Sequence, residues 1–304
     1  MNFIDLKNLQ EGQRVEGYVF VKEFDKKVDM SSKAPLYGTL YHKGYEIPFK
    51  VWDSVLQQYL NNLEIEKFLV KVKGIVTKYK NKLEVQIDQM YELITSGYEE
   101  YVYKSYDLDK LVKDFSAFVN TMDEEYKEVL RVILFPIWDT FVRSWCASKM
   151  HDACVGGLLA HTLKMLNIAR VVVENDVRWQ DKKGLIYLGI ILHDIGKIYE
   201  MNNGSYTDIS FVTHRVLGVE LVTSHKDLIL EKLGEENYYH LLAIISQHHD
   251  EYAERATTIY SKLIHYIDML ESFATGMMDR IENGQYEVQG NRKTIWVNEG
   301  RLLF

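Results

Sequence analysis

Apolar positions over the first third of the chain fall in short alternating runs, and over the rest they recur every three to four residues. Runs rich in β-branched and aromatic residues occupy 14–22, 36–41, 46–52, 68–79 and 83–93, the period-two pattern of half-buried strands. Lys43-Gly44 and Lys80-Asn81-Lys82 break them with turn-forming residues. Five short strands with a helix expected after Trp52 suit a small barrel. The OB-fold is the commonest barrel of that size and order, with an SH3-like barrel as the alternative. Thr95-Ser96-Gly97 ends the strand region. From Asp107 the period lengthens: Leu108, Leu111, Val112, Phe115, Phe118 and Val119 share one helical face, and Val129, Val132, Ile133, Ile137 and Phe141 share another. Further helices are expected over 156–175, 183–200, 214–232, 236–251 and 258–283. The chain thus reads as a multidomain α and β protein: a small β-barrel over 1–95, a linker over 96–106, an all-α domain over 107–285 and a C-terminal extension over 286–304. Alternation around Gly290-Asn291 points to a hairpin in that extension.

One place breaks the apolar pattern. In Leu188-Gly-Ile-Ile-Leu-His-Asp-Ile-Gly-Lys197 an imidazole and a carboxylate stand side by side in otherwise apolar sequence. Burying both is costly unless they are paired or coordinated, and a divalent cation accepts both as ligands. Taken alone, His161 in Gly156-Gly-Leu-Leu-Ala-His161 reads as a core histidine. Together with His193, Asp194, His214, His248, His249 and Asp268, each on a helical segment, it reads instead as a ligand. Histidines and carboxylates on neighbouring helices converge in this way in helical dimetal sites. Asp194 is the candidate bridge, because an aspartate offers two oxygens. Two ions roughly 3.5–4 Å apart can hold a hydroxide and stabilise entering and leaving oxygens at phosphorus, which predicts phosphoester hydrolysis. Lys197, one turn beyond the pair, would set a cation near the substrate phosphate; the alternative is a solvated helix-end lysine.

Charge modifies this picture only locally. The net charge of −8 is unevenly divided, since residues 1–95 hold 14 basic and 13 acidic side chains and the remainder carries the excess of acid. Between Lys67 and Lys82 there are six lysines and no acid. Lys71, Lys73, Lys78, Lys80 and Lys82, with Tyr79 among them, form a stripe suited to the phosphates of a single strand. Tyr18, Phe20, Tyr37, Tyr41, Phe49 and Trp52 are either base-stacking platforms or barrel core. Cys146 and Cys154 are too few for a disulfide framework and read as buried thiols. No stretch approaches the roughly 18 apolar residues of a membrane span, and the first residues lack a secretory pattern, so a cytoplasmic protein without a membrane partner is expected.

His161, then His193-Asp194, then Asp268 resembles the HD-domain metal-dependent phosphohydrolase superfamily. The resemblance narrows over Lys149-Met-His-Asp-Ala-Cys-Val-Gly-Gly-Leu-Leu-Ala-His-Thr-Leu163, Ile191-Leu-His-Asp-Ile-Gly-Lys197 and Leu263-Ile-His-Tyr-Ile-Asp268, which look like the YhaM-type 3′-5′ exoribonucleases. It implies an OB-fold nucleic-acid-binding barrel joined to an all-α HD domain, nearly the whole chain. It also implies a first metal held by His161, His193, Asp194 and Asp268, and a second held by Asp194, His214, His248 and His249. The implied cofactors are two divalent ions, Mn²⁺ foremost, with Mg²⁺, Fe²⁺, Co²⁺ or Ni²⁺ as alternatives. Three positions depart from the family: His151-Asp152 in place of two histidines, Ala160 in place of a glutamate, and Gly218-Val219 in place of Gly-His. His151 and Arg215 are further candidates for contact with substrate.

The expected function is 3′-5′ exonucleolytic hydrolysis of single-stranded RNA, with DNA as a further substrate, through a metal-activated hydroxide and with Asp194 and Lys197 as catalytic residues. An HD phosphohydrolase acting on a free or cyclic nucleotide is the first alternative. A nucleic-acid-binding or assembly protein with a degenerate HD site is the second, and a homo-oligomer is compatible with each.

Overall fold

The computed structural model describes residues 1–26, 33–148, 152–249, 255–282, 286–289, 292–297 and 300–303. They form two compact units, Met1–Ser105 and Tyr106–Phe304.

In the first unit β1 (Arg14–Phe24), β2 (Leu36–His42), β3 (Tyr45–Val51), β4 (Phe68–Tyr79) and β5 (Lys82–Ile94) close a barrel in the order β1-β2-β3-β5-β4, with α1 (Ser54–Asn61) between β3 and β4. The β3–β5 pairing is parallel and the β1–β4 pairing antiparallel. This five-stranded closure is that of an OB-fold. Alternation decides which side chains fill it. Along β4, Val70, Val72 and Val76 point inward while Lys71 and Lys73 point out. Lys80 and Asn81 both have positive φ, the geometry of a tight two-residue hairpin. Asp53 starts α1 by accepting the Leu56 amide at 2.8 Å. Residues 96–106, expected as a linker, contain a short helix, α2 (Glu99–Val102), flanked by Tyr98 and Tyr103, whose rings pack on Phe20.

The second unit is helical: α3 (Leu108–Val119), α4 (Glu124–Leu134), α5 (Trp138–Arg143), α6 (Gly157–Glu174), α7 (Lys183–Leu192), α8 (Lys197–Glu200), α9 (His214–Thr223), α10 (Lys226–Gln247) and α11 (Ile259–Glu282). A two-stranded hairpin, β6 (Met201–Asn202) and β7 (Ser205–Tyr206), separates α8 from α9. Every residue from Gly184 to Leu192 is buried, so α7 is the central helix, apolar on all sides. Leu158, Met165, Leu188, Ile191, Leu241, Ile244, Ile264 and Ile267 belong to the core around it.

Two expected helices differ. The one over 183–200 stops at Leu192, and His193–Gly196 form a turn before α8. The one over 214–232 ends at Thr223, and α10 runs from Lys226 across a kink at Gly234, whose φ is 81°. After α11 the chain forms three antiparallel strands rather than a two-stranded hairpin: β8 (Glu287–Gln289), β9 (Arg292–Val297) and β10 (Gly300–Leu303). No helix among the described residues is long and apolar enough to cross a membrane.

Candidate metal centre

His193 caps the buried α7, so its ring starts from the middle of the core. The turn that follows places Asp194 beside it, and Lys197 opens α8 with its Nζ 2.6 Å from Asp194 Oδ2. Lys197 is partly buried and paired with this carboxylate, not extended into solvent. His161 comes from the second turn of α6, His214 opens α9, His248-His249 follow the end of α10, and Asp268 lies on α11. Five separate stretches therefore deliver the expected ligands to one place.

Asp194 is the hub, and its two oxygens face different partners. Oδ2 lies 3.2 Å from His193 Nε2 and 3.9 Å from His161 Nε2. Oδ1 lies 3.4 Å from His214 Nε2 and 3.5 Å from His248 Nε2. His161 Nε2 also lies 3.4 Å from Asp268 Oδ1. Among the described residues the ligand atoms fall into two adjacent sets, each within 4.8 Å: Asp194, His214, His248 and His249 in one, and His161, His193 and Asp268 in the other.

In four of these histidines the inward Nε2 is matched by an engaged Nδ1. His193 Nδ1 donates to the Ile190 carbonyl at 2.7 Å, and His248 Nδ1 to the Ile245 carbonyl at 2.9 Å. His161 Nδ1 lies 2.6 Å from Glu271 Oε2, and His214 Nδ1 lies 2.9 Å from Glu200 Oε2. Donation from Nδ1 leaves the Nε2 lone pair directed inward. Among the described residues, the Nε2 atoms of His193, His214 and His248, together with Asp194 Oδ1, are buried with no hydrogen-bond partner. Buried polar atoms are seldom left so. Four buried lone-pair atoms aimed at shared points fit a divalent cation, which takes imidazole and carboxylate together.

The electrostatics of Asp194, Asp268, His248 and His249 agree with that fit, whereas the Asp194 charge raises His193 against its burial. Burial works against ionisation of Asp194, but the Lys197 ammonium and then His193 outweigh it and hold the carboxyl well below its usual range. Asp268 is lowered in the same way, against burial, by His161 and His193. Burial pushes His248 down to about 3 and His249 down to about 4, so both imidazoles are neutral near pH 7, the form that binds metal. A third acidic grouping, Asp152, His161 and Glu271, is already filled by a cation. Lys164 Nζ reaches Asp152 at 2.8 Å and Glu271 at 3.0 Å.

Sequence reading missed Glu200, Glu271 and Cys146. Cys146 Sγ accepts from Lys197 at 3.7 Å and lies near His161 and Asp194; burial pushes its thiol up and keeps it protonated. Glu271 stands three residues after Asp268 on the same helix, a spacing that could have flagged it. Nothing in the sequence marks Glu200. Arg215 donates to the Ser246 carbonyl at 2.6 Å and so ties α9 to α10. His151 lies outside the described residues.

On the barrel the expected lysine stripe divides. Lys71 and Lys73 lie 3.5 Å from Glu92 and 3.3 Å from Glu16, over the ring of Tyr91, so both carry counter-ions on neighbouring strands. Lys78, Tyr79, Lys80 and Lys82 gather at the β4–β5 hairpin, exposed, with Lys80 Nζ 5.3 Å from the Tyr79 ring centre. Of the six barrel aromatics, Phe20, Tyr41 and Phe49 are buried, whereas Tyr37 and Trp52 are exposed.

A crystal structure of the mitochondrial single-stranded DNA-binding protein of S. cerevisiae is similar at 14% identity and a TM-score of 0.23, covering 29% of this chain and 96% of that one. The family model described as HD domain matches residues 158–272, a span that begins just before His161 and ends just after Glu271. The matched stretch lies within the helical unit and takes in every candidate ligand from His161 to Asp268.

Proposed function

We propose that the protein is a metal-dependent 3′-5′ exoribonuclease of the YhaM type, acting on single-stranded RNA and to be tested on DNA. The observation that carries this reading is the division of Asp194 between two histidine sets, Oδ2 toward His161 and His193 and Oδ1 toward His214 and His248. A carboxylate so divided suits a shared ligand between two cations. His161, His193, Asp194 and Asp268 would hold one, and Asp194, His214, His248 and His249 the other. Mn²⁺ is the first choice because the donors mix imidazole with carboxylate, and Mg²⁺, Fe²⁺, Co²⁺ and Ni²⁺ share enough of that preference to be tested beside it. When bound, such ions supply activation of a water and neutralisation of charge at phosphorus.

The side chains have their own parts. Lys197 holds Asp194 ionised and presents positive charge beside the position a phosphate would take. The OB barrel would bind the strand through Lys78, Lys80 and Lys82, with Tyr79, Tyr37 and Trp52 as stacking surfaces, which accept any base. Lys71 and Lys73 contribute less, because Glu92 and Glu16 already neutralise them.

That neutralisation favours one second reading, a phosphohydrolase acting on a free or cyclic nucleotide with the barrel in another role. The test is 5′-labelled single-stranded RNA and DNA with Mn²⁺, beside free nucleotides, for wild type and Asp194→Ala. Stepwise shortening from the 3′ end, abolished in the variant, is expected. Turnover of nucleotides alone selects the second reading, and undiminished shortening by the variant removes the proposed centre.

A further inference from the structure

We infer that Glu271 and Glu200 are positioning residues that each orient one histidine of a different metal subsite, so that the two subsites are tuned separately. The inference rests on the metal reading above. In each set of ligands one imidazole is backed by a carboxylate and another by a main-chain carbonyl, with His249 as a third imidazole in the second set. In the set with Asp268, His161 is backed by Glu271 at 2.6 Å and His193 by the Ile190 carbonyl at 2.7 Å. In the set with His249, His214 is backed by Glu200 at 2.9 Å and His248 by the Ile245 carbonyl at 2.9 Å. The carbonyls belong to the same turns as their histidines and cannot be removed by substitution. The carboxylates come from elsewhere in the chain, 110 residues away for Glu271 and 14 for Glu200, and can.

Each carboxylate is itself held. Glu271 accepts from the Thr275 hydroxyl at 2.6 Å and pairs with Lys164, which reaches on to Asp152. The Tyr106 hydroxyl donates to the same Asp152 at 2.5 Å. Glu200 also accepts the main-chain N–H of His214 at 3.3 Å, so it fixes both the ring and the first residue of α9. A carboxylate behind a ligating imidazole fixes its tautomer and ring plane and raises its basicity. Losing it typically costs about 10–100-fold in metal affinity.

The experiment is a Mn²⁺ titration of the full-length protein by calorimetry, with free Mn²⁺ followed by electron paramagnetic resonance. The proteins are wild type, Glu271→Ala, Glu200→Ala, the double variant, and the two Gln variants, which keep an acceptor for Nδ1–H. Wild type should take up two ions. Each Ala variant should weaken one of them by about 10–100-fold and leave the other unchanged, the double variant should weaken both, and Gln should restore part of the loss. Melting of the metal-free proteins in chelator reports folding separately, and where an Ala variant does not fold its Gln counterpart is read in its place. Wild-type affinity for both ions in the folded variants overturns the inference, as does equal weakening of both ions by one substitution. No Mn²⁺ bound by wild type overturns instead the metal reading on which it stands.

Discussion

A methyl group on Gly196 would lie 1.9 Å from the His214 carbonyl oxygen and 2.7 Å from the Gly218 amide nitrogen. Both are main-chain atoms, so nothing flexible can yield, and α9 would have to move. That explains why a glycine follows His193-Asp194 so closely: only a bare backbone lets α9 bring the His214 ring to Asp194. Gly196→Ala should cost about 1–3 kcal/mol of stability and should weaken Mn²⁺ binding at the His214 subsite more than at the His161 subsite. Gly276, in the interior of α11, has no described atom beyond its own stretch of helix backbone within 4 Å of the same added carbon. Gly276→Ala should therefore stabilise by roughly 0.5–1 kcal/mol, the usual helix-interior gain. Urea unfolding and Mn²⁺ titration of the two variants check both. Equal behaviour of the two glycines would remove the close-approach argument.

At the scale of single elements, the strand β2 ends in a histidine with a readable pH effect. The His42 ring stacks on Phe3, with centroids 4.5 Å apart and planes within 2°. Burial, then the neighbouring Lys43 charge, lowers its pKa from 6.5. The folded barrel thus binds this proton less well than the unfolded chain, so the contribution is complete above about pH 6.5 and is lost as pH falls through the depressed folded value. His42→Phe keeps a ring against Phe3 and removes the titration. Its urea midpoint should hold steady relative to wild type above pH 6.5 and gain on it below, and parallel curves from pH 5 to 8 would refute the assignment. The elements themselves were legible where periodicity records burial: all five barrel strands follow from alternation, and α6 and α11 from a period near 3.6. Periodicity could not show that the apolar run ending at Leu192 turns at His193, because the turn is set by the approach of α9 and not by local preference. The Lys71 and Lys73 pairings were hidden for a similar reason. Glu16 and Glu92 become their partners only through the register of β1 and β5 against β4, which no spacing in the chain reveals. His161, His193, His214 and Asp268 could be grouped because their types share one chemistry. Glu200 could not, since a glutamate among polar surface residues looks like any other until the fold turns it inward.

Over the whole molecule, the two units make different demands on a cation. Residues 1–95 are nearly neutral, with 14 basic and 13 acidic side chains, and their core is an apolar barrel that gains nothing from metal. The excess of acid lies in the rest of the chain, where Asp194 and the partly buried Asp268 stand among imidazoles, and among the described residues the Nε2 atoms of His193, His214 and His248 are buried with no hydrogen-bond partner. An ion that binds the folded form stabilises it by mass action, about 2.7 kcal/mol at a free concentration one hundred times the dissociation constant. For a unit of the size of Tyr106–Phe304 that corresponds to a rise of about 5–10 °C in melting temperature for each site filled. Calorimetry of the full chain at constant ionic strength should therefore show one transition that rises with Mn²⁺ and falls with chelator, and a second, from the barrel, that ignores both. In Asp194→Ala the responsive transition should lose most of its shift, although removing a carboxylate from among these buried groups also changes its starting temperature. The shift rather than the starting temperature is the quantity to compare. A Mn²⁺ response of equal size in wild type and variant would place the ion on the acidic surface, and a response in both transitions would mean that the units do not melt separately.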